Sequence, residues 1–172
     1  MKNVLDLFHR CCDKLESIGL AIDKRRIDAV CVSSRMTKSF GICTSRKSWD
    51  GKYCSEIKIS NRVLDDSVPD WSAENVMLHE LLHARHPGDH HGGAWAREAK
   101  IVSSKLGYDI TRTSSCDALG VEAAKPKYEV RCPKCGKIFT RQRLCGLVQH
   151  PSLYTHEGCG VALERVAKGN LI

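Results

Sequence analysis

The sequence predicts an α+β fold: helices packed on a small, mainly antiparallel sheet, with a second, smaller module at the C-terminus. Three observations predict it. Residues 3–19 carry apolar side chains at helical spacing. Residues 27–60 hold three short strand-like segments. Four cysteines and two histidines gather in the last third of the chain, after a stretch with no clear period. A length of 172 residues is enough for one modest domain plus an appendage, and 42% hydrophobic with 27% charged residues fits a packed core rather than disorder.

The elements follow in order. Val4, Leu7, Phe8, Cys11, Cys12, Leu15 and Ile18 recur on one helical face, and Gly19 supplies a stop. The strand-like segments are 27–32, 39–44 and 54–60; in the last, Ile57 and Ile59 share a face. Asp50-Gly51 between the second and third is a strong hairpin signal. After the break at Val68-Pro69-Asp70, Ser72 reads as the N-cap of a second helix, with Glu74 and Asn75 in its first turn. Pro87-Gly88 stops that helix near residue 85. A third helix spans about 93–106 and ends at Gly107. The expected organisation is a domain over 1–108, a linker over 109–127 and a small module over 128–172.

The N-terminus lacks the continuous apolar run of a signal peptide, and no window approaches the roughly 18 apolar residues of a membrane span. The expected location is the cytoplasm, or the nucleus in a eukaryote, with thiols reduced, no membrane partner and a monomer as default. Cys11, Cys12, Cys31, Cys43, Cys54 and Cys116 then read as small hydrophobes. The formal charge is +7, of which residues 111–172 hold +5. That excess points mildly to a polyanion; a solvated basic surface is the simpler account.

Residues 79–93 read HELLHARHPGDHHGG and contain five of the eight histidines. His79 and His83 lie four apart on a predicted helix, so both imidazoles meet one ion, with Glu80 beside them. Catalytic zinc takes three protein ligands and leaves a position open for water, which the glutamate deprotonates. The competing account is two exposed histidines on a charged helix face. For the third ligand His86 points past the ion, Asp89 occupies a place where a different motif would also need Gly at 86, and Glu98, His90 and His91 all lie within reach of a returning third helix.

HELLHA, a short loop and then HGGAW resemble the SprT-like metalloprotease family, to which the Spartan proteases belong. The resemblance implies a zincin-like core with His91 as third ligand beside His79 and His83, Glu80 as catalytic base, and Trp95 as a core anchor. His86 and His90 become exposed loop residues. Upstream, Arg35, Phe40, Gly41 and Cys43 are similar to the family's R-x-x-x-x-(W/F)-G-x-C segment, with Phe40 where many relatives have Trp. EIKISNRVL is similar to its next strand and turn. The resemblance covers roughly residues 3–107.

In the tail, Cys132-Pro-Lys-Cys135-Gly and His156-Glu-Gly-Cys159-Gly have the same ligand-x-x-ligand-Gly shape. Together they make a closed Cys3His zinc ribbon, hence a structural second zinc. Cys145 and His150 have no partner at that spacing. The family's ribbon usually carries four cysteines, so His156 is a departure. Lys134, Lys137, Arg141 and Arg143 surround Phe139, an arrangement that tracks a phosphate backbone and stacks a base. The plain alternative is that Phe139 packs under the ribbon. The resemblance implies a zinc endopeptidase with one catalytic and one structural zinc, cleaving DNA-associated or DNA-crosslinked proteins, with single-stranded DNA the favoured nucleic-acid partner. Two rival readings are a nucleic-acid-binding adaptor on a zincin-like scaffold and a metal-dependent hydrolase of a small substrate.

Overall fold

The computed structural model describes residues 1–123 and 125–166. The chain divides into two compact units, 1–123 and 124–172. Position 124 of the expected linker and positions 167–172 of the expected C-terminal module lie outside the described residues.

In the first unit, α1 (Val4–Ser17) is capped by Asn3, whose side chain accepts from the Leu5 and Asp6 amides. Its apolar stripe buries Leu7, Phe8, Cys11, Cys12 and Leu15 against α2 and β1. Strands β1 (Ile27–Ser33), β2 (Gly41–Lys47) and β3 (Tyr53–Ser60) form one sheet in the order β1-β3-β2. β2 and β3 are the expected hairpin around Asp50-Gly51. β1, however, pairs parallel with β3, so the sheet is mixed rather than mainly antiparallel. No tight turn joins residues 33 and 41, and the intervening segment carries the chain past β3 to its far side. The strand at the centre is the most buried of the three, with Ile57 and Ile59 fully enclosed, and β2 becomes an edge.

Helix α2 (Asp70–Arg85) runs through the middle of this unit and is buried almost continuously from Ser72 to Leu82. Such a helix shows little amphipathic pattern because it has core on nearly every side. Ser72 is not its cap: Pro69 holds that position, and the buried Ser72 hydroxyl donates instead to the Leu119 carbonyl at 2.7 Å. Glu74 is buried beneath α1. It accepts from Lys14 at 2.8 Å and Tyr108 at 2.5 Å, with Arg10 at 3.6 Å. Burial raises its carboxyl, but these donors outweigh burial and hold it below the usual range. Helix α3 (Gly93–Leu106) packs on α2 through Trp95, Ala99 and Val102.

Residues 109–123 are no linker. Ile110, Leu119 and Val121 are buried in the same core as α1–α3. They lack a period because they pack as an irregular strap rather than as an element.

The second unit is built on β4 (Tyr128–Arg131), which pairs antiparallel with β5 (Ile138–Arg141) and with β8 (Glu164–Arg165). The short α4 (Gly146–Gln149) and the small pair β6 (Thr155–His156) and β7 (Val161–Ala162) complete it. Among its described residues the buried apolar ones are Val130, Cys132, Val148 and Leu163.

Candidate metal centres

One turn of α2 and the return into α3 build the first centre. The Nε2 atoms of His79, His83 and His91 form a triangle with every side 3.2 Å. Zinc–imidazole bonds of about 2.0–2.1 Å at tetrahedral angles set nitrogens about 3.3–3.4 Å apart, so the triangle fits one such ion. The chemistry of the donors agrees. Burial, then the neighbouring imidazoles, press His79 down to about 3, and burial with His91 and His90 presses His83 down to about 4. His91 is lowered by burial and by the charge of Arg112. All three are neutral at neutral pH, as ligands must be. A hydrogen bond from the His79 ring to the Thr111 carbonyl fixes its orientation.

Trp95 packs against all three rings, with centroid distances of 5.0, 5.1 and 4.7 Å to His79, His83 and His91. It is 3% exposed, the anchor the sequence predicts.

The loop between the helices sorts the remaining candidates. Asp89 is not a ligand here. Its Oδ2 accepts from the Ala94 and Trp95 amides at 2.8 and 3.3 Å and so caps α3, whose N-cap Gly92 has no side chain to do it. Gly93 adopts φ +52°, and a Cβ there would meet the Asp89 carboxylate at 2.7 Å. Glu98 is not grouped with the triangle and pairs instead with Arg85 at 2.7 Å. His86, expected as an exposed loop residue, is partly buried and also meets Glu98, at 2.7 Å. This ties the end of α2 to α3. His90 is exposed.

Glu80 is 6% exposed and lies against β2. A Cβ on Gly41 would stand 2.5 Å from its Oε1, so the carboxylate occupies the space that Gly41 leaves. Burial pushes its carboxyl up to about 8, against a backbone hydrogen bond from Cys43 that lowers it. A cation on the nearby imidazoles would draw it back down.

The second centre lies in the second unit. The ligand atoms of Cys132, Cys135, His156 and Cys159 all fall within 4.8 Å of one another. Cys135 Sγ and His156 Nδ1 are 3.4 Å apart. The two halves fold alike: the Gly136 amide returns to the Cys132 carbonyl at 2.9 Å, and the Gly160 amide to the His156 carbonyl at 2.8 Å. Burial raises the Cys132 thiol, but the backbones of Cys135 and Lys134, then His156, outweigh it and hold it down to about 6. Cys159, hydrogen-bonded to Cys135 and partly desolvated beside the other thiols, is raised to about 11. Three thiolates here need a cation. Cys145 instead packs against the small apolar cluster, and His150 is exposed.

Of the expected nucleic-acid residues, Lys134, Lys137, Arg141 and Arg143 are exposed. Phe139 is half-buried, edge-on to His156 at 5.5 Å with Lys137 over its ring at 5.6 Å. Lys134 reaches the Cys159 carbonyl at 3.4 Å.

Residues 9–114 match the family model for SprT-like proteins, more than half of the chain. The chain belongs to the SprT-like family. No match is found among curated proteins or among solved structures. SprT-like membership points to a metalloprotease-type function, and the two groups of metal-binding side chains suit zinc. Among the described residues no helix is long and apolar enough to cross a membrane. Sequence reasoning passed over three contributors within the SprT-like match: the Thr111 carbonyl behind His79, the Asp89 cap, and Arg112 beside His91. The only signal for the 110–121 strap was its apolar residues Ile110, Leu119 and Val121.

Proposed function

We propose that the protein is a zinc-dependent endopeptidase with zincin-like architecture, holding a catalytic zinc on His79, His83 and His91 and a structural zinc in a C-terminal ribbon. The observation that carries this reading is the 3.2 Å triangle of imidazole nitrogens with the buried Glu80 carboxylate alongside. Zinc, when bound there, polarises a carbonyl and acidifies water. Glu80 accepts the proton of the attacking water and delivers it to the leaving amine. Gly41 and the Cys43 amide keep that carboxylate in place. The Thr111 carbonyl keeps the His79 lone pair facing the ion. β2, an edge strand, offers backbone groups to an extended peptide passing Glu80.

The proposed substrates are DNA-associated or DNA-crosslinked proteins. The net +5 of residues 111–172 and the exposed Lys137, Arg141 and Arg143 support a nucleic-acid partner. A pure binding adaptor has no use for the Glu80 pocket that Gly41 preserves, which favours the enzyme.

The test is cleavage of a basic DNA-binding protein by wild type and Glu80→Gln, with and without single-stranded DNA. Zinc content per chain is measured alongside. Wild type should cleave, and more with DNA. Glu80→Gln should keep both zincs and lose at least about a hundredfold in rate. Full activity in Glu80→Gln would sink the mechanism.

A further inference from the structure

A pocket of about 170 Å³ opens beside His79 and Glu80. One wall is the segment leading into β2, with Lys38 and Ser39. The other is 111–114, with Arg112. Asn75 and Val76, one turn of α2 before His79, lie between the walls. Asn75 and Val76 are 4% and 6% exposed, whereas Lys38 and Arg112 are open to solvent. The apolar and amide groups are therefore the floor, and the two cations stand at the mouth.

The charges at the mouth are not spent on the fold. Lys14, Arg26 and Arg85 of the same unit are each paired with a carboxylate. Lys38 and Arg112 have no such pair among the described residues. Glu80 is the lone carboxylate among the lining residues, and it is already held against Gly41 and the Cys43 amide. The floor adds a second constraint. Asn75 Nδ2 donates to the Asp109 carbonyl at 3.1 Å, and its buried Oδ1 has no donor. A carboxylate cannot supply that donor, so its place in the pocket is the mouth, between the cations. A basic side chain would face both cations and the ion on the imidazoles. An apolar one would gain nothing from either cation.

We propose that this pocket is a substrate subsite for an acidic side chain flanking the scissile bond, with Lys38 and Arg112 as its specificity-determining residues. The inference rests on the peptidase reading above. It adds what that reading lacks, a rule for where a substrate is cut. Charge-assisted hydrogen bonds from the two mouth residues favour the carboxylate, and their exposure limits the gain to about threefold per cation.

The test uses the zinc-loaded full chain and peptides that differ at one position, carrying Glu, Gln, Leu or Lys. Cleavage is measured with wild type, and binding to Glu80→Gln by calorimetry. The expected result is a preference for Glu over Gln and Leu of roughly tenfold in both readouts. Lys38→Ala and Arg112→Ala should each lower that preference without changing zinc content. The double reversal Lys38→Glu with Arg112→Glu should turn it toward Lys. Cleavage by wild type with no preference, or with Gln above Glu, would overturn the subsite and leave the peptidase standing. No cleavage, but Glu-selective binding lost in the two alanine variants, would support the subsite and sink the peptidase. Absence of both overturns the proposal.

Discussion

A methyl group on residue 41 would overlap the Glu80 carboxylate, and this single contact explains why a glycine opens β2. Gly41→Ala should leave the strand pairing intact, because residue 41 is at an extended position, but should push Glu80 out of line. A loss of about a hundredfold in kcat with little change in melting temperature is the expected outcome. Activity within a few-fold of wild type would show that Glu80 has slack the packing denies it. At this scale much was legible. The imidazole pair and Glu80 follow from the helical repeat alone, and the twin ligand-x-x-ligand-Gly halves from their spacing. What Gly41 and Cys43 do was not legible. Their sequence neighbours are strand residues, and their partner is a helix residue some forty positions away.

Between α2 and α3, Asp89 does the work that a cap residue adjoining the helix would normally do. It lies four residues before the first helical position, so a search for a cap next to the helix passes over it. Asp89→Ala removes the acceptor for two amides and should cost about 1 kcal/mol of stability. Because His91 sits within the same turn, it should also weaken zinc retention roughly tenfold. Thermal melting and competition with a chelator check the two effects. Unchanged zinc retention would mean that Trp95 packing alone holds His91. The helices and the β2–β3 hairpin were readable because each rests on local spacing and turn chemistry. The parallel β1–β3 pairing and the 109–123 strap were not, because both depend on what the distant core leaves uncovered.

The two units differ sharply in what holds them together. The first has an extensive core of its own around α2, while the second, among its described residues, buries just Val130, Cys132, Val148 and Leu163. Stripping zinc with a strong chelator should therefore unfold residues 128–166 and spare 1–123. Amide exchange resolved by segment would show protection lost in the former and kept in the latter. Equal loss in both would mean that the first unit also depends on its metal to fold. That the tail gathers a four-ligand metal group was legible from four residues. That its predecessor extends to residue 123 was not.

The three tryptophans lie in three different surroundings: Trp49 is 98% exposed, Trp71 46% and Trp95 3%. Only Trp95 touches the imidazole triangle. Its emission should be the bluest of the three, and a paramagnetic ion such as cobalt or copper seated among those rings should darken it first. Trp95 would thus report, without any added dye, whether such an ion has entered the first centre.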